Sequence, residues 1–145
     1  MNDEKEKLYS LLKEAFLLLD FGDRQLFARY NLTISRYYAL YHINQEPGLS
    51  ISQLSDGMFC DKSNATRVVK GLEKDGLVIR EPHETDGRTL RLFLTPAGQE
   101  LLKITSVAHN EYNQIRLNGI NEVLRRNLIE GLDILNERLR DFLQE

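Results

Sequence analysis

Cys60-Asp61-Lys62-Ser63-Asn64-Ala65-Thr66-Arg67-Val68-Val69-Lys70-Gly71-Leu72-Glu73-Lys74-Asp75-Gly76-Leu77-Val78 carries the most informative pattern in the chain. Asp61 suits an N-cap and Gly76 suits the left-handed position just past a helix end, which predicts a helix over 62–74. Ala65, Val68, Val69 and Leu72 recur at three- and four-residue steps and define the side to be buried. The opposite side displays Ser63, Thr66, Arg67 and Lys70, with Lys62 and Asn64 flanking. Short hydroxyl and amide groups plus cations, crowded into the N-terminal half of a helix, suit the helix that a helix-turn-helix places in a major groove. Arg67 can bridge guanine O6 and N7, Asn64 can pair with adenine, and Ser63, Thr66 and Lys70 suit phosphates or base edges. The helix N-terminus adds a partial positive charge that favours a phosphate. Taken alone, such a face is more often simply solvated.

The segment after this helix separates the two readings. Leu77-Val78-Ile79-Arg80 is β-prone, 82–87 reads as a turn, and Leu90, Leu92 and Leu94 alternate with Arg91 and Phe93. That is a hairpin of two short strands. Its turn carries Asp86-Gly87-Arg88, which puts an arginine at a mobile tip able to enter a minor groove. Asp86 is placed to hold that guanidinium through a charge-assisted pair. Upstream, Ser50 caps a short helix from Ile51 to about Met58, Pro47-Gly48 breaks the chain, and Thr33 caps a helix through Tyr37, Leu40 and Tyr41 to about Gln45. The whole is a winged helix-turn-helix: mainly α, with a small β-hairpin wing, over 32–97.

The flanks are helical. Leu8, Leu11, Leu12, Ala15, Phe16, Leu18 and Leu19 form an amphipathic arm that Asp20-Phe21-Gly22-Asp23 is expected to weaken or kink before it resumes through Leu26 and Phe27. Thr95-Pro96 opens a long helix through Leu101, Leu102, Ile104 and Val107. Asn118-Gly119 interrupts it, and a last helix carries Val123, Leu124, Leu128, Leu132, Leu135, Leu139 and Phe142 in a four-three seam. Segments 1–30 and 98–145 thus read as dimerisation helices around the central lobe, within a single domain of 1–145. A second copy is the simplest partner for their apolar stripes, giving a symmetric homodimer.

Composition narrows the function. The chain has 145 residues, a formal net charge of −3 and one cysteine, Cys60. A net acidic chain does not coat nucleic acid by bulk charge, so binding must rest on a local patch. A single cysteine excludes an intrachain disulfide and fits a reducing compartment; with no apolar leader and no bilayer-length apolar run, the reading is cytoplasmic and without a membrane partner. His42, His83 and His109 lack ligand spacing, so no metal or other cofactor is expected. No phosphate-cradling glycine loop, GxSxG or HExxH occurs, and Asp20 with Asp23 reads as a polar helix face, so no enzyme is indicated.

The sequence resembles the MarR family of winged-helix regulators over nearly its whole length, most densely between Leu32 and Gly98. The carriers are the 60–78 stretch, the Asp86-Gly87-Arg88 wing and Leu94-Thr95-Pro96-Ala97-Gly98. The resemblance implies a homodimer on a pseudo-palindromic operator in double-stranded DNA, usually a repressor, released by a small molecule or an oxidant. It departs at Gly87, where family members often carry a second arginine. The family's ligands settle between the dimerising helices and the DNA-binding lobe; Phe16, Tyr30, Tyr37, Tyr38 and Tyr41 are the aromatics for such an effector, with Arg36 to fix a carboxylate or phenolate. The same aromatics also serve as core. The family's peroxide sensors keep their reactive cysteine in the N-terminal arm, which has none here, so Cys60 reads as structural. The competing reading is a winged-helix module for protein–protein assembly without specific DNA binding, favoured by the acidic charge and opposed by Ser63, Thr66, Arg67, Lys70 and Arg88 occurring together.

Overall fold

Helical periodicity, caps and breakers partition the chain much as the sequence suggests. A computed structural model describes residues 3–144. The described elements are α1 (Glu4–Ala28), α2 (Ile34–Gln45), α3 (Ile51–Met58), α4 (Lys62–Lys74), β1 (Val78–Pro82), β2 (Leu90–Leu94), α5 (Pro96–Arg116) and α6 (Glu122–Gln144). Two compact units result, 1–109 and 110–145.

The first unit is built around α2, α3 and α4. Thr33 Oγ1 accepts from the Arg36 amide at 3.1 Å, which caps α2. Ser50 and Gln53 exchange a reciprocal capping box at the start of α3. An eight-residue helix cannot persist alone, so this cap and the packing of Leu54 against the core hold it in place. Asp61 stands at the N-cap of α4 with extended backbone, but its side chain makes no cap bond, so its expected cap role is positional only. The α3–α4 turn passes through Phe59 in the left-handed region (φ 53°).

The hairpin pairs antiparallel, Val78 opposite Leu94 and Pro82 opposite Leu90. β1 therefore runs two residues beyond the expected Arg80, because Pro82 sits at a strand end where it owes the ladder no donor. Leu49 and Gly48 extend the pairing: Gly48 N–H donates to the Leu92 carbonyl at 2.8 Å and Leu92 N–H to the Leu49 carbonyl at 2.9 Å. Thr95 then locks the wing to α5. Its hydroxyl donates to the Gly76 carbonyl at 2.6 Å and accepts from the Gly98 amide at 3.0 Å. Gly98 faces the Leu77 carbonyl so closely that a Cβ would collide with the backbone, which explains the glycine in this helical turn.

The core gathers Phe27, Leu32, Tyr37, Leu40, Ile43, Leu54, Val69, Leu72, Val78, Leu92 and Leu102. Two expectations are corrected by α1. The helix is continuous from Glu4 to Ala28, with no break at Asp20–Asp23. Gly22 and Asp23 are buried there, so tertiary packing overrides the weak helix propensity of the four residues. Asp23 is also not on a polar face. Its Oδ1 accepts from His109 Nε2 at 3.0 Å, with both side chains about nine-tenths buried. The His109 ring packs beside Phe27 and Tyr37, ring centres 5.1 and 5.6 Å away, so the bond ties α1 to α5 next to the core.

In the second unit, α6 buries no residue. Leu124, Leu128, Leu132 and Leu139 of its seam are exposed, as are Val123 and Phe142.

Candidate nucleic-acid interface

The geometry of α4 follows from its two faces. Ala65, Val69 and Leu72 are fully buried, and Val68 is half-buried against the core. Lys62, Ser63, Arg67 and Lys70 are exposed, whereas Thr66 and Asn64 are half-buried. The expected reading residues therefore share one accessible side of one helix. Within it, Arg67 Nη2 donates to Asn64 Oδ1 at 2.7 Å. The Asn64 carbonyl oxygen is thus already engaged by the neighbouring guanidinium, whose further N–H donors remain enough for a guanine edge.

At the wing, Asp86 contacts both the side chain and the backbone of the tip. Arg88 Nε lies 4.0 Å from Asp86 Oδ1, at the limit of an ion pair, and the Arg88 side chain is 98% exposed. Its stronger hold is on the rest of the tip: Oδ1 accepts from the Arg88 amide at 3.1 Å and Oδ2 from the Thr89 hydroxyl at 3.2 Å. An aspartate two residues before a turn amide makes such a bond readily, whereas fixing a flexible guanidinium in water has little return. On the other side of the tip, the His83 ring accepts through Nδ1 from the Thr85 and Asp86 amides at 3.2 and 3.3 Å. This side-chain cap could not be read from spacing, since histidine carries no turn signature.

Of the residues expected to meet an effector, Tyr37, Tyr38 and Tyr41 form a run of adjoining rings on α2, Tyr37 and Tyr38 with centres 5.2 Å apart. Tyr37 is buried, stacked on Phe27 at 4.2 Å between centres, and its hydroxyl lies 3.2 Å from Ser106 Oγ. Tyr30 is half-buried against the same core. Tyr38 and Tyr41 are neighbours on the outer side of α2, with centres 6.4 Å apart. Phe16 is exposed on α1 under Lys13. Arg36 reaches the end of α4, where Nη1 pairs with Asp75 Oδ2 at 2.7 Å, a position that answers a carboxylate of this chain. Sequence reasoning missed this pair and the Asp23–His109 bond, because their partners lie 39 and 86 residues apart and no periodicity links them.

Among the described residues there is no cluster of three or more metal-ligating side chains, and no helix is long and apolar enough to cross a membrane.

A reading helix preceded by a turn and a short helix, and followed by a hairpin with an exposed arginine, defines a winged helix-turn-helix protein. The model of the MarR family matches residues 30–89. The chain is 32% identical over 104 residues to the HTH-type transcriptional regulator SarZ of Staphylococcus epidermidis, covering 71% of this chain and 68% of that protein. Among solved structures, it superposes on AbsC, a MarR family transcriptional regulator from Streptomyces coelicolor, with a TM-score of 0.86 at 22% identity over 97% of each chain. A mutant MarR from E. coli complexed with operator DNA gives 0.83 at 18% identity, over 91% of this chain and 95% of that one. The chain belongs to the MarR family, and is a DNA-binding transcriptional regulator rather than an enzyme.

Proposed function

We propose that the protein acts as a homodimeric, cytoplasmic repressor that reads a pseudo-palindromic operator in double-stranded DNA and is released by a small effector. The observation that carries the reading is the pairing of one accessible polar face on α4, bearing Lys62, Ser63, Arg67 and Lys70, with a wing-tip Arg88 whose side chain is almost wholly exposed. Asn64 and Thr66 complete the face. Helix in major groove and wing arginine in minor groove account for both. Asp86 serves by ordering the tip from which Arg88 reaches out. The dimer is supported by the exposed leucine seam of α6 and by the exposed Leu8, Leu11 and Leu18 of α1, apolar faces a soluble chain covers with a second copy. The effector reading rests on the contiguous rings of Tyr37, Tyr38 and Tyr41 on α2, the last two exposed.

The test is a fluorescence-anisotropy titration against DNA from upstream of the protein's own gene, beside an unrelated duplex, at low and moderate salt. Preferential, salt-sensitive binding to the upstream fragment is expected, with affinity falling by orders of magnitude as salt rises from about 50 to 200 mM if some six to ten phosphates are contacted. Equal weak binding to both fragments, together with no enrichment from a randomised duplex pool, overturns it.

A further inference from the structure

If α4 reads DNA as proposed, it must be held at a fixed roll for its polar face to meet base edges. The buried stripe of Ala65, Val69 and Leu72 sets how closely the helix sits on its neighbours, but one apolar stripe resists rolling weakly. Two charge pairs act where the stripe does not. At 3.6 residues per turn, Glu73 and Asp75 fall roughly 80° to either side of the stripe. From one flank, Arg80 of β1 reaches Glu73 at 2.8 Å; from the other, Arg36 of α2 reaches Asp75 at 2.7 Å. The Arg36 guanidinium also lies against Gly71: a Cβ there would collide with its Nη2 and stand 3.0 Å from its Cζ. A glycine in a helix interior weakens the helix, so its presence under this guanidinium needs a compensating use.

We propose that Arg36, seated on Gly71 and paired with Asp75, is a positioning residue that sets the roll of the reading helix and so governs how sharply the protein discriminates between DNA sequences. Arg36 acts through α4, where Asp75 and the Gly71 backbone engage its guanidinium. Its side chain is 30% exposed and that of Asp75 50%, so the pair adds little to global stability. Its effect is directional, because a planar fork fixed at two points tolerates less displacement than an apolar contact does.

The experiment uses the full-length protein and a duplex enriched by the wild type from a randomised pool, with single-base variants of that duplex. Gly71→Ala fills the seat and displaces the guanidinium while improving helix propensity, so it is expected to melt no lower than the wild type. It should nonetheless bind the enriched duplex about five- to tenfold more weakly, with a flattened response to base changes. Arg36→Ala should do the same, Arg36→Lys should recover part of the loss, and the double variant should be no worse than either single one, since both break one latch. Wild-type affinity and discrimination in Gly71→Ala and Arg36→Ala, or losses that simply add, overturn the proposal. If the wild type enriches no duplex, the DNA-reading assignment fails on its own account. Amide hydrogen exchange in the free protein then decides the latch: faster exchange in α4 of Arg36→Ala upholds it, and unchanged exchange overturns it.

Discussion

Asp86 shows how a residue recognised from sequence can have its role reassigned by geometry. An Asp-Gly-Arg tip suggests a carboxylate gripping a guanidinium, yet the carboxylate binds the Arg88 amide and the Thr89 hydroxyl, while the guanidinium stands in solvent. The two residues therefore answer differently to removal. Arg88→Ala takes away a contact and should lower the slope of log affinity against log salt by about one for each protomer. Asp86→Ala leaves the contact in place but loosens the tip, so about 1 kcal/mol of affinity is lost to ordering while the salt slope is kept. Titrations at four salt concentrations separate the two; a shallower slope in Asp86→Ala means the carboxylate does orient the arginine. Residue-scale reasoning succeeded on α4 because its polar and apolar positions alternate at helical spacing. The partners of Asp23, Arg36 and His109 were not legible, because packing between elements distant in sequence sets them.

At the scale of elements, caps were readable and contacts between elements were not. Thr33, Ser50 and Thr95 each cap the helix they precede, because the bond is local and spans three residues. The unbroken α1 and the silent Asp61 cap are the exceptions, and both reflect surroundings rather than local propensity. The contact between α2 and α3 supplies a pH dependence of the same kind. His42 lies against Gly57 of α3, where an added Cβ would stand 3.3 Å from its Nδ1, and burial lowers its pKa below the ordinary 6.5. The folded chain thus takes up this proton less readily than the unfolded one. Stability should fall as pH drops from about 7 through the unfolded value, and that contribution should level off once pH passes below the folded value. Thermal melts of the wild type and His42→Gln between pH 7.5 and about 5 test this: the variant should lose less stability than the wild type. An identical pH slope would show that His42 contributes none of it.

For the whole molecule, the α6 seam is the feature that a single chain leaves unexplained. Leu128 and Leu132 are exposed on a helix that buries nothing, and they are the positions a second copy would cover on the dimer reading. Replacing both with aspartate should convert a dimer to monomers by sedimentation or light scattering, with the secondary structure intact. Affinity for a two-half-site duplex should fall by about a hundredfold or more, since linked binding gives way to two separate events. Affinity for one half-site should hold. A variant that remains dimeric would move the interface elsewhere, with α1 the next surface to probe.

The winged helix-turn-helix, the order of its elements, the polar side of α4 and the exposed arginine of the wing are all legible in the amino-acid sequence. Each is written in local spacing, through caps within one turn, helical and strand periods, and a three-residue tip. Packing between distant elements set the rest: the continuity of α1, the meeting of Asp23 with His109, and the pairing of Arg36 with Asp75 beside Gly71. Those contacts join residues far apart in sequence, and the free energy that selects them comes from burial and close packing, which no local pattern encodes.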